Sequence, residues 1–208
     1  GQQEAAWEKL KTLKPLSAEE KTRTLLAQSQ LLRDRGRYSE AFKLLTDSLK
    51  QQPNNTDLLY DRAMLAEKLN QFEEAELGFK RIIELKPDSA YAYNALGYTL
   101  ADRNIRLEEA QTLIEKAVNL APEDAFILDS LGWLQYRQGR IQEAIKTLRK
   151  AYELRADAEI AAHLGEVLWV NGQQEEAQKL WRNAQKIEPN NETLKAVMLR
   201  HQVLPSSP

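Results

Sequence analysis

The chain has 208 residues, and 42% of them are hydrophobic, which is enough to form a buried core. Its 29 basic and 31 acidic residues leave a net charge of −2 without a basic stripe, which argues against a nucleic-acid-binding protein. Cysteine is absent, so disulfides and thiol catalysis are excluded, and no apolar run approaches the roughly 18 residues of a membrane helix.

The first residues carry apolar side chains at helical spacing. Ala6, Leu10 and Leu13 repeat the pattern of helices found later in the chain. We therefore predict that residues 1–16 hold the trailing helix of a truncated preceding repeat. Ser17 with Glu20 has the spacing of a capping box, which predicts that the first complete helix begins near Ala18.

A period of about 34 residues organises the chain beyond this point. Each copy has a small residue early in its second helix, and these are Ala41, Ala75, Ala110, Ala144 and Ala177. Each is followed four positions later by a large apolar residue, and these are Leu45, Phe79, Ile114, Leu148 and Trp181. In four copies a proline follows twelve positions after the alanine, where it ends the helix.

The period divides the chain into pairs of short helices. We predict five repeats, at about 17–55, 56–89, 90–124, 125–157 and 158–191, followed by a capping helix at 192–203 and a disordered tail at 204–208. Gly36, Gly139 and Gly172 mark the turn between the two helices of a pair. The third copy has no glycine there and one extra residue within 102–106, which predicts a slightly longer connection.

This pattern resembles the tetratricopeptide repeat, in which a large residue, Leu-Gly, an aromatic residue, Ala, Phe, Ala and a closing Pro recur. The resemblance covers five copies, roughly residues 22–191. It implies an all-α fold, a right-handed α-solenoid of helix-turn-helix repeats.

Few residues suggest chemistry. The two histidines, His163 and His201, lie in different elements, and we interpret His163 as a packing or hydrogen-bonded residue. The recurring glutamate pairs lie in the first turn of a second helix, where the helix dipole favours them. We expect no metal site, no cofactor and no enzymatic activity from this segment.

The resemblance also implies a concave surface lined by the first helix of each pair, with its main site between residues 57 and 170. The residues that it places there are Tyr60, Met64, Lys68, Tyr91, Asn94, Tyr98, Asp102, Asp129, Trp133, Tyr136, Arg137, Glu166 and Trp169. Two interpretations of their aromatic members stay open. They pack between neighbouring helices, or they form an apolar groove for a peptide or a partner's helix, oriented by Asn94, Asp129, Arg137 and Glu166. The lysine and asparagine pattern of a chaperone-tail clamp is missing.

Three runs, at 94–102, 128–133 and 161–169, are similar to the C-terminal repeats of a proteobacterial family of long tetratricopeptide-repeat lipoproteins. The similarity extends over about 88–191. It implies a periplasmic, outer-membrane-associated adaptor that activates a carboxyl-terminal processing protease and holds its substrates, such as cell-wall hydrolases. A lipid anchor is then expected upstream of this segment.

Several alternatives stay open beside the adaptor. In these alternatives, the chain is a scaffold for another cell-envelope complex, a self-associating array, or the regulatory part of an enzyme whose catalytic domain lies elsewhere. A cytoplasmic location is the alternative to the periplasm.

Overall fold

In the computed structural model, the described residues are Lys9, Leu10, Thr12 and 17–203. Over the stretch 17–203 they form eleven α-helices and no strand, which confirms the predicted all-α class. None of these helices is both long and apolar enough to cross a membrane. Apart from the three positions named, the predicted leading helix at 1–16 lies outside the described residues, as does the tail at 204–208.

The helices fall into five pairs, each with a first and a second helix. The first helices are α1 (Ala18–Arg33), α3 (Thr56–Lys68), α5 (Ala90–Asp102), α7 (Ala125–Arg137) and α9 (Ala158–Val170). The second helices are α2 (Tyr38–Leu49), α4 (Phe72–Leu85), α6 (Leu107–Leu120), α8 (Ile141–Leu154) and α10 (Gln174–Ile187). The final helix is α11 (Glu192–Arg200), which follows the fifth pair.

Polar side chains fix where the first helices begin. Ser17 accepts a hydrogen bond from the Glu20 backbone N–H at 3.1 Å, and the Glu20 carboxylate accepts one from the Ser17 N–H at 2.9 Å, which confirms the capping box. Four later helices, α3, α7, α9 and α11, use an aspartate or asparagine whose side chain accepts from the first-turn amides. These caps are Asn55, Asp124, Asp157 and Asn191.

The turn inside each pair contains a residue with a left-handed backbone. Three of these residues are the expected glycines at 36, 139 and 172, with φ of 69°, 78° and 86°. The other two are asparagines, Asn70 and Asn104, with φ of 59° and 55°. Asparagine tolerates this conformation better than most residues. In the third pair the connection spans 103–106, and its extra residue places Arg106 at φ 49° as well.

The described chain forms two compact units that divide between Ala92 and Tyr93. In the first unit, a core of Leu32, Ala41, Leu45, Leu58 and Leu65 joins α1, α2 and α3. Ala75 and Phe79 of α4 are fully buried. The alanines and large apolar residues of the 34-residue period are thus core residues.

The second unit has a larger core near its C-terminal end. This core contains Ala144 and Leu148 of α8, Ala161 and Leu168 of α9, Trp181 of α10, and Leu194, Val197 and Met198 of α11. The last helix therefore covers an apolar surface that the fifth pair would otherwise expose to water, as the end of a repeat array requires.

In the third, fourth and fifth pairs, the two helices approach closely at a glycine of the first helix. A Cβ atom added to Gly132 would lie 2.5 Å from Leu148 Cγ. A Cβ atom added to Gly165 would overlap the indole ring of Trp181. That indole is fully buried, and its Nε1–H donates to the Ala162 carbonyl at 3.3 Å. The ring has little freedom to move away.

We therefore expect Gly165→Ala to lower the free energy of unfolding by about 1–3 kcal/mol, the usual cost of overpacking a core. This cost outweighs the roughly 1 kcal/mol that alanine gains over glycine in a helix. Urea denaturation measures the change, with Leu77→Ala on the exposed side of α4 as a surface control. A Gly165→Ala protein as stable as the parent would show that the indole relocates freely.

Candidate protein-binding site

The predicted binding residues of the first unit lie on or next to its first helices. Tyr60 and Met64 of α3 are half-buried, and the Tyr60 ring packs edge-on against Phe79 with centroids 5.9 Å apart. Burial raises the pKa of Tyr60 to about 12. Tyr91, in the first turn of α5, is 55% exposed and has the most accessible side chain of the three.

In the second unit, the Trp133 side chain is buried by residues of neighbouring helices. Its side chain is 5% exposed and stacks on His163 of α9, with ring centroids 4.4 Å apart. Its Nε1–H donates to the Asp102 carboxylate at 3.1 Å, and the Arg137 guanidinium lies 5.4 Å from the ring centroid. The packing interpretation therefore describes Trp133.

His163 joins three first helices. Its Nδ1 lies 2.8 Å from Asp129 Oδ2 on α7, and its Nε2 lies 3.3 Å from the Tyr98 hydroxyl oxygen on α5. Both His163 and Asp129 are buried. Burial lowers the pKa of His163, but the charge of Asp129 and its hydrogen bond raise it, and the net result is a raised pKa.

A second buried carboxylate repeats this arrangement one pair later. Glu166 of α9 is 9% exposed and pairs with Arg200 of α11 at 2.6 Å. Beside it, Trp169 packs against Trp181 and His201, with ring centroids 5.7 and 4.8 Å apart. Burial lowers the pKa of His201, the opposite direction from His163.

The partners His163 and Arg200 were missing from the predicted site. Both lie 34 residues after the acid that they contact, because Asp129 precedes His163 and Glu166 precedes Arg200 by one repeat. Searching for opposite charges at the repeat spacing would have found them.

Four residues of the second unit form what we call the first-helix face: Tyr98, Tyr136, Arg137 and Trp169. All four are half-buried. Tyr136 lies 5.1 Å from the Trp133 ring and, like Trp169, packs against the large C-terminal core. The Arg137 guanidinium donates to the carbonyls of Ala101 and Asp102, which holds α7 to the end of α5. Burial, followed by the charge of Glu166, raises the pKa of Tyr136.

The predicted site residues of the second unit thus fall into a buried group and a partly accessible group. Asp129, Trp133 and Glu166 are covered by neighbouring helices, so they support the surface from beneath. Tyr136, Arg137 and Trp169 keep part of their side chains accessible, and Asn94 is half-buried on α5. Protein binding by this set stays a prediction. Among the described residues, no three His, Asp or Glu side chains are grouped to hold a metal ion.

Comparison with known proteins identifies the repeats. Sequence models described as tetratricopeptide repeat match residues 32–97, 100–159 and 130–191. The TPR repeat-containing protein PA4667 of Pseudomonas aeruginosa is 40% identical over 141 residues, 68% of this chain. The F-box/TPR repeat protein pof3 of Schizosaccharomyces pombe is 38% identical over 65 residues, 31% of this chain. The chain spans 24% of the length of the first relative and 11% of the second.

Solved structures share the fold. TTC0263, a thermophilic TPR protein of Thermus thermophilus, has a TM-score of 0.77 with 24% identity, covering 88% of this chain and all of that one. A chain of the APC/C hetero-tetramer Cut9-Hcn1 also has a TM-score of 0.77, with 17% identity, covering 98% of this chain and 40% of that one. These likenesses confirm the predicted solenoid class.

The burial of Trp133 predicts that its removal destabilises the second unit. We expect Trp133→Ala to lower the free energy of unfolding by about 3–5 kcal/mol, as large-to-small core changes do. Trp133→Phe keeps most of the packing and loses the hydrogen bond to Asp102, so its cost is about 1 kcal/mol. Guanidinium denaturation gives both values. A Trp133→Ala cost below that of the phenylalanine variant would mean that the ring contributes little to the core.

Proposed function

Because the chain belongs to the tetratricopeptide-repeat family, we propose that it is a non-enzymatic adaptor that binds a partner protein or peptide through the first-helix face. Repeats of this family are generally interaction scaffolds, and the extended surface of stacked helix pairs suits that use. The proposal places recognition on side chains of α5, α7 and α9, and assigns no catalytic role to this segment.

The observation that carries the proposal is the combination of partly exposed rings and a fixed support. Tyr136, Arg137 and Trp169 are residue types that dominate binding energy at protein interfaces. Beneath them, Asp129 and His163 form a buried pair, and the buried Glu166 carboxylate binds the exposed Arg200 guanidinium. Both contacts restrict how these helices move. A surface ordered before binding loses less conformational entropy when the partner docks.

We further propose that the partner is a carboxyl-terminal processing protease of the periplasm, and that the adaptor also holds the protease's substrates. The support is the resemblance of the runs at 94–102, 128–133 and 161–169 to the lipoprotein family that includes such an adaptor. In this proposal, the protein to which the segment belongs is attached to the outer membrane through a lipid anchor upstream of residue 1.

Two other proposals fit the same repeats. In the first, the segment organises a different cell-envelope complex. In the second, it regulates an enzyme whose catalytic domain lies elsewhere in the same gene product. The sequence of the gene upstream of residue 1 distinguishes the periplasmic adaptor from the regulatory role. A leader with a lipid-attachment cysteine favours the periplasmic adaptor, whereas a catalytic domain favours the regulatory role.

We expect Tyr136→Ala and Trp169→Ala each to weaken binding to a purified carboxyl-terminal processing protease at least tenfold, or about 1.4 kcal/mol. The reason is that each substitution removes an aromatic contact from the first-helix face. Isothermal titration calorimetry measures the dissociation constants, and urea denaturation of the same samples verifies that each variant is folded.

Leu154→Ala is the matched control, because Leu154 is an exposed apolar residue of α8, a second helix in the same unit. It should bind as the parent does. If the parent and all three variants bind the protease with equal affinity, the binding site lies outside the first-helix face. No binding by the parent would refute the protease as partner and leave the other proposals to be tested.

A further inference from the structure

The contact that joins α5, α7 and α9 is centred on one imidazole. His163 has an exposed fraction of 3%, and both of its ring nitrogens face polar atoms of other first helices. Because it touches Asp129, Tyr98 and the face of Trp133 at once, its protonation state affects every helix that carries the first-helix face. Trp133 in turn contacts Tyr136 and Arg137.

The surroundings of His163 favour a positive charge. The Asp129 carboxylate lies at hydrogen-bonding distance from Nδ1, and the Tyr98 oxygen can accept from Nε2 when that nitrogen is protonated. The Trp133 ring is stacked against the imidazole with a 25° angle between planes, and the face of an indole attracts a cation. The second carboxylate oxygen of Asp129, Oδ1, is buried and has no hydrogen-bond partner. Without the imidazolium, that buried charge would lose its counter-charge.

We propose that His163 is a buried imidazolium that holds α5, α7 and α9 together, and that its deprotonation loosens the first-helix face. Proton loss converts an ion pair inside the second unit into an isolated carboxylate beside a neutral ring. The structure therefore contains a pH-dependent control of the binding surface. Its effect on partner affinity rests on the proposed function, whereas its effect on stability does not.

Other ionisable groups around the pair act in the same direction or are already paired. Asp102 at the end of α5 and Glu159 on α9 add negative charge that favours the imidazolium. Burial raises the pKa of Glu159, and the neighbouring Asp129 raises it further against the lowering effect of His163. The charge of Glu166 on α9 is matched by Arg200 of α11. His201, directly after α11, lies in the separate stack with Trp169 and Trp181.

The direction of the pH effect follows from linkage. The folded protein holds the His163 proton more tightly than the unfolded chain, because the folded pKa is raised above the ordinary value of 6.5. The stabilisation is therefore complete below pH 6.5 and is lost as pH rises through the folded pKa. The raised pKa of Glu159 gives the same sign in a separate window above its ordinary value of 4.5.

The first experiment is a histidine titration by two-dimensional 15N NMR on the intact chain without any partner. The chain has two histidines, so comparison with His163→Gln assigns both signals. We expect the His163 resonances to titrate above pH 6.5 and those of His201 below it. A His163 pKa at or below 6.5, or a neutral ring throughout the range, would overturn the proposal whatever the partner is.

The second measurement is urea denaturation between pH 6 and 9. In the parent, we expect the unfolding equilibrium constant to rise with pH between the pKa of His163 in the unfolded chain and its pKa in the folded protein. The rise is at most about tenfold per pH unit, which is the limit for one linked proton. Asp129→Asn should remove most of that slope, because the amide leaves no negative charge to hold the proton. His201→Gln, the matched control, should retain it. An unchanged slope in a folded Asp129→Asn protein would contradict the proposal.

Discussion

The second unit depends on polar contacts that recur between successive first helices. Asp129 on α7 and Glu166 on α9 are both buried. Each contacts a basic side chain one repeat further along the chain, His163 on α9 and Arg200 on α11. Apolar packing alone is weakly directional and would tolerate small sliding of one pair against the next. A buried carboxylate is much less tolerant, because any shift that separates it from its partner leaves a charge without compensation. These two acids therefore fix the register in which the apolar residues meet.

The same contacts explain why Trp133 is buried whereas Tyr136 and Arg137, at the end of α7, stay partly accessible. Trp133 faces His163 of the next first helix, and the Arg137 guanidinium binds the end of the preceding one. Tyr136 lies between these two anchors and keeps part of its ring accessible. A binding surface supported in this way differs from a loop, since its side chains sit on helices whose neighbours restrict their rotamers.

Much of the fold could be predicted because the same pattern of small, large apolar and proline residues recurs in five copies. The period predicts the all-α solenoid class, and the spacing of Ser17 and Glu20 predicts the first cap. The asparagine turns at 70 and 104 do not follow from the glycine pattern, since asparagine reaches the same left-handed backbone conformation. Burial of the site residues could not be predicted from register. Register gives the face on which Trp133 lies, but only the identity and size of the residue across from it, His163, determine that the ring is covered.

The connection at 103–106 shows how far this architecture can be altered without loss of its core. One additional residue lies there, yet Ala110 and Ile114 on the following helix remain fully buried. The insertion is absorbed locally by the left-handed conformations of Asn104 and Arg106. Evolution can therefore lengthen this corner while the helices on either side keep their partners. For protein engineering, the corner is the natural point at which to graft a foreign loop, because the array already accommodates a length variant there.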